Sequence, residues 1–150
     1  MSPRTDLINR DGQLSAVVEV KSRRHTSREW AAQLRRNLLA HGNFPQARFF
    51  LLVTPDRLYL WKGNGTQPKV VLPSYELEAE PIFAPYFERA GLDPKDVSGP
   101  GFELVVAAWL SDLVHSEAAS GRPTAGQAEL RDSGFLEAIR AGRVEYGIAA

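Results

Sequence analysis

The sequence predicts an α/β domain, a mixed central sheet of about four strands flanked by helices. Three observations predict it: a hairpin signal near the start, an amphipathic helical stretch after it, and two short strand signals that follow. The 150 residues suit one domain spanning 1–150, and a hydrophobic fraction of 43% suffices for one sizeable core.

The hairpin comes first. Asp6–Arg10 and Gln13–Lys21 flank Asp11-Gly12, a dipeptide typical of a two-residue type I′ turn. Ser27 then stands as a helix N-cap with Glu29 in the first turn. Trp30, Ala31, Leu34, Leu38 and His41 follow at helical spacing, and Gly42-Asn43 ends the run. The segment 48–54 (RFFLLVT) reads as a short buried strand, and Arg57–Lys62 (RLYLWK) alternates with period two. These elements make a core over about 5–62. Residues 63–100 are punctuated by Gly and Pro and read as an irregular surface connection, with a short helix over Ile82–Ala90. The C-terminal segment, 101–150, opens with an apolar helix at Gly101–His115. A loop at Ser120–Thr124 follows, then a helix over about 134–142 capped by Ser133, and a terminal strand within Val144–Ala150.

Composition narrows the function classes. With no Cys, thiolate zinc sites, thiol catalysis and disulfide scaffolds are excluded. No apolar run approaches the roughly 18 residues of a membrane span, and the opening MSPRTDLINR lacks a signal peptide's apolar stretch. A soluble cytoplasmic protein is the expectation. The formal net charge is zero, yet residues 1–50 hold nine Lys/Arg against four Asp/Glu. The excess concentrates in Lys21, Arg23, Arg24, Arg28, Arg35 and Arg36. It reads either as a solvated helix face or as a local phosphate-binding patch.

The stretch SAVVEVKS at 15–22 is the most informative. Alternate side chains of a strand share a face, so Val17, Glu19 and Lys21 point one way. If Asp11 and Gly12 are the whole loop, Asp6 pairs with Val17 and joins that face, diagonal to Glu19. A loop longer by one residue would reverse the face. Two converging carboxylates are hard ligands suited to Mg²⁺, and a neighbouring lysine can orient water or stabilise charge at phosphorus. The alternative is a hairpin face carrying charges into solvent.

Asp6, Glu19-Val20-Lys21, the helix SREWAAQLRRNLLAHG and the strands FFLLVT and RLYLWK resemble the PD-(D/E)xK, restriction-endonuclease-like nuclease superfamily. The wider chain is similar to bacterial proteins, frequent in cyanobacteria, that carry segments like EWAAQLRRNLLAHG and PDRLYLWK. The nuclease resemblance implies Asp6 and Glu19 as metal ligands, joined by the Val20 carbonyl, with Mg²⁺ or Mn²⁺ as cofactor. It implies Lys21 as the catalytic lysine, and Gln33 matches a position where some members carry a glutamine near the site. Arg23, Arg24 and Arg28 would then hold DNA phosphates. Thr5 stands where the family's name-giving proline would be. The helix that usually precedes the core and brings a glutamate to the metal has no counterpart in the five residues before Asp6.

The remaining residues read as structural. His25, His41 and His115 have no metal spacing, and Gly63-Asn64-Gly65 is a turn without the Lys-Ser/Thr of a phosphate loop. Trp30, Trp61 and Trp109 lie in periodic apolar patterns and are expected in the core. The leading expectation is a Mg²⁺-dependent nuclease acting on DNA. Its alternatives are a non-catalytic module of the same fold that binds nucleic acid or protein, and a pure interaction protein. A homodimer is also expected, built on the apolar C-terminal helix.

Overall fold

The computed structural model describes residues 4–42, 44–63, 65, 67–115 and 127–146. The elements run β1 (Thr5–Ile8), β2 (Leu14–Val20), α1 (Arg28–His41), β3 (Phe49–Val53), β4 (Arg57–Lys62), β5 (Tyr75–Glu78), α2 (Glu80–Ala90), α3 (Gly99–His115), α4 (Gln127–Asp132), α5 (Phe135–Ile139) and β6 (Arg143–Tyr146). The strands form one mixed sheet in the order β5-β4-β3-β2-β1-β6. Among the described residues only β2 and β3 are parallel, because the crossover helix α1 returns the chain to the same end of the sheet.

The sheet has six strands, not about four. One addition, β5, lies in the segment read as irregular, and β6 closes the far edge against β1. The last helix is shorter than expected, 135–139, and is preceded by α4. Its N-cap is the left-handed Gly134, not Ser133, although the Ser133 hydroxyl accepts the Phe135 N–H at 3.2 Å. The expected loop at Ser120–Thr124, Asn43, Asn64 and residues 147–150 lie outside the described residues.

The hairpin reaches its expected pairing by a different route. Gly12 N–H donates to Asn9 O and Asn9 N–H to Gln13 O, so the loop holds three residues, with Gly12 at φ +83°. The Asn9 side chain braces it by accepting the Asp11 and Gln13 N–H groups. Ile8 then pairs with Leu14, one step out of the expected register. A bulge at Ser15 restores it, so Leu7 meets Ala16 and Asp6 meets Val17. The buried Ser15 hydroxyl donates to the Ala138 carbonyl at 3.1 Å.

Both faces of the sheet are covered. Val17, Phe50, Leu52, Tyr59 and Trp61 pack with Ala31 of α1, which starts as expected with the Ser27 hydroxyl accepting the Trp30 N–H at 3.1 Å. Ala16, Val18, Leu51 and Leu60 face the other way, against α2, α3 and α5. There Phe83 meets Phe102 and Trp109 edge to face, with centroids 5.7 and 5.3 Å apart. Trp61 and Trp109 are buried as expected, and Trp30 is half-buried. The apolar side of α3 is spent inside this core: Phe102, Val105, Val106, Trp109, Leu110 and Leu113 are all buried. Its outer side keeps Leu104 (69% exposed) beside Ala107 and Ala108, so most of the apolar surface expected to serve a dimer is used within the chain. Among the described residues no helix is long and apolar enough to cross a membrane.

Candidate functional site: a charged face on the first hairpin

Strand register decides which side chains meet. Asp6 lies opposite Val17, Val17 beside Phe50, and Phe50 opposite Trp61, so this row of side chains shares the α1 side of the sheet. Glu19 is two residues from Val17 and points the same way. The Lys21 N–H donates to Val53 O at 2.9 Å, which extends the β2–β3 ladder one residue and keeps Lys21 on that face. Across the same planar trans peptide, the Val20 carbonyl points away from β3, toward the β1 side. The sequence-predicted hairpin face, with Asp6, Glu19 and Lys21 together, is thus present.

Each acid on this face has a basic neighbour. Arg4 Nε lies 2.9 Å from Asp6 Oδ1, and Lys21 Nζ lies 3.7 Å from Glu19 Oε1. The burial is unequal: the Glu19 side chain is only 3% exposed, against 32% for Lys21. Burial raises the Glu19 pKa above its usual value, since a desolvated carboxylate loses water's stabilisation. Lys21 and Arg4 oppose that shift, and Glu103 of α3 adds to it. The result is a desolvated acid whose charge is only partly compensated.

Asp6, Glu19 and the Val20 carbonyl are hard oxygen donors, the chemistry Mg²⁺ and Mn²⁺ take. Asp6 and Glu19 are the carboxylates of this face that could hold such an ion, and each is ion-paired, Asp6 with Arg4 at 2.9 Å and Glu19 with Lys21 at 3.7 Å. Among the described residues there is no group of three or more His, Cys, Asp or Glu placed to hold a metal.

The other predicted residues spread out. Gln33 is exposed on α1, where its amide donates to Asn37 Oδ1 at 3.3 Å. Arg23 sits over the Trp30 ring at 5.5 Å, and Arg28 lies 3.7 Å from Glu29 on the surface. Arg24 turns to the Pro94 carbonyl and ties the β2–α1 loop to the α2–α3 connection. His25, His41 and His115 are exposed.

Sequence reasoning missed two residues of this face. Arg4, two before Asp6, was accessible from the strand period alone. Glu145 was not: it lies opposite Asp6 through the β1–β6 ladder, a pairing between the two ends of the chain. His25, read from the sequence as structural, is exposed and left-handed at φ +57°, and its N–H donates to Asp56 Oδ2 at 2.9 Å. Asp56 borders a separate open depression of about 510 Å³ with Arg57, Glu78 and Glu80. No protein-family profile, curated protein or solved structure matches the chain.

Proposed function

We propose that the chain is a metal-dependent nuclease with a restriction-endonuclease-like core, hydrolysing DNA phosphodiester bonds on the Asp6–Glu19–Lys21 face. One observation carries this reading: a buried acid, a second acid and a lysine share one face of one hairpin. Asp6, Glu19 and the Val20 carbonyl would hold Mg²⁺ or Mn²⁺. The bound ion would supply a water of lowered pKa and polarise a phosphoryl oxygen.

The chain's own groups supply the rest. Lys21, one-third exposed at the rim, places an ammonium where an attacking water or a non-bridging phosphate oxygen can meet it. Burial raises the Glu19 pKa, and in its ionised form the carboxylate would attract a cation more strongly in this poorly solvated position than in water. Arg23 and Arg28, exposed on the loop and helix start beyond Lys21, would make the phosphate contacts.

A second reading has its own observation. Asp6 and Glu19 are each paired with a basic residue of the same face, which suits a non-catalytic module of this fold that binds nucleic acid or a protein partner. Thermal unfolding with and without Mn²⁺ separates the two. The nuclease reading expects a rise in Tm that Asp6→Asn abolishes, and plasmid cleavage that Lys21→Ala abolishes with the fold intact. Absence of both in the wild type would leave the binding module.

A further inference from the structure

The sheet ends in two edges that differ in charge pattern. One is β5, Tyr75-Glu76-Leu77-Glu78, and the other is β6, Arg143-Val144-Glu145-Tyr146. Antiparallel self-pairing of β5 about Leu77 would set Glu76 against Glu78 of the other copy, like charges directly opposite. That edge resists a copy of itself. The same operation on β6, about Val144, sets Arg143 of each copy against Glu145 of the other. That edge complements itself.

We propose that a second copy of this chain pairs with β6, antiparallel, about a two-fold axis through Val144. The six-stranded sheets then join into one continuous sheet.

Charge fixes the register. A two-fold axis perpendicular to the sheet allows only pairings centred on a single residue, because opposed side chains must share a face. Centring on Arg143 opposes two arginines, and centring on Glu145 opposes two glutamates. Centring on Val144 alone makes two cross-strand ion pairs. Both groups are available, with Arg143 58% and Glu145 51% exposed, and they now face each other at 2.8 Å within one strand. Exchanging that internal pair for two intermolecular ones conserves the ion pairs and adds main-chain hydrogen bonds along the edge. The same register puts Tyr146, 59% exposed, across from Gly142 of the other copy, where no side chain competes with the ring. Among the described residues no strand occupies the outer side of β6.

The occupant is a second copy because the complementarity is internal to four residues. The symmetry also turns both Asp6-bearing faces to the same side. They are three inter-strand spacings apart, about 14 Å across the sheet.

The test is sedimentation velocity over a concentration series of the full chain. A short edge gives a weak dimer, so the mass is expected to climb from 16.6 kDa at a few micromolar toward twice that at several hundred micromolar. Glu145→Arg is expected to weaken association at least tenfold, and the exchange Arg143→Glu with Glu145→Arg to restore it within about threefold. Val144→Cys, in a chain without cysteine, puts the two thiols opposite each other within disulfide reach, so mild oxidation is expected to yield a covalent dimer. Circular dichroism melts establish that each variant folds. A mass fixed at 16.6 kDa throughout overturns the proposal, as does a dimer indifferent to Glu145→Arg or one that Val144→Cys fails to cross-link.

Discussion

The Glu19 carboxylate lies 3.7 Å from the Lys21 ammonium, two residues along the same strand, with the acid buried and the base partly in water. That asymmetry sets a pH dependence. Burial raises the Glu19 pKa above its unfolded value, so between the two values the folded chain binds more protons than the unfolded one. Stability therefore falls as pH rises from the ordinary carboxylate range through the raised value, and stays reduced above it. Glu19→Gln removes this penalty. It is expected to match the wild type near pH 4 and to exceed it in Tm at pH 8. Equal differences at both pH values would remove Glu19 as the source.

Arg35 gives a second test. Its guanidinium is 1% exposed, between the Phe50 and Trp61 rings at 5.9 and 5.7 Å, and one amino group donates to the Gly65 carbonyl at 3.1 Å. Among the described residues its Nε and other amino group have no hydrogen-bond partner. Burying a charge with two of its three nitrogens unpartnered is costly. Arg35→Met keeps the volume between the rings and is expected to leave stability within about 1 kcal/mol of wild type or to raise it. Arg35→Ala opens a cavity there and is expected to cost about 3 kcal/mol. Denaturant midpoints check both, and a large loss in Arg35→Met would show that the charge stabilises the fold.

Much of the fold was legible because its signals are local. Ser27, Gly12 and the alternation of RLYLWK act within a few residues, and the α1 cap, the hairpin and β4 follow from them. The site face was legible for a less direct reason. The loop is one residue longer than Asp11-Gly12 implies, and the Ser15 bulge cancels the shift, because the apolar alternation of β2 must still meet β3. Arg35 belonged, in sequence, to the basic patch. Its position four residues after Ala31 turns it inward instead. The four-residue β5 carries no local pattern that announces it; β6 was expected as a terminal strand within Val144–Ala150, but its pairing with β1 is remote in sequence and was not legible.

Gly12 isolates a purely conformational cost. It sits at φ +83°, and an added Cβ would meet nothing within 4 Å. Gly12→Ala is thus expected to cost about 1 kcal/mol, from left-handed backbone alone. Gly12→Asn is expected to recover part of that, since asparagine tolerates the conformation better. Equal losses in the two variants would mean that contact, not backbone preference, selects glycine.

Gly142 isolates the opposite cost. Here a Cβ would lie 1.9 Å from the Ile8 carbonyl oxygen and 3.0 Å from the Ile139 oxygen, both main-chain atoms that cannot swing aside. The glycine lets the chain pass close over β1 immediately before Arg143 pairs with Ile8. Its own N–H donates to Ile139 O, and the preceding Ala141 N–H donates to Val114 O, so the approach is fixed on both sides. Gly142→Ala must therefore push β6 off β1, and is expected to cost on the order of 3 kcal/mol. The damage should be local. Amide exchange is expected to quicken at Arg143–Tyr146 and at the β1 amides facing them, while β2, β3 and β4 keep their protection. Because Asp6, Glu19 and Lys21 are placed by the β1–β2–β3 ladders, a Mn²⁺-dependent rise in Tm should survive the substitution, whereas self-association through β6 should not. Loss of the metal response together with β6 would show that the site needs the edge strand, with Glu145 opposite Asp6 the residue to test next.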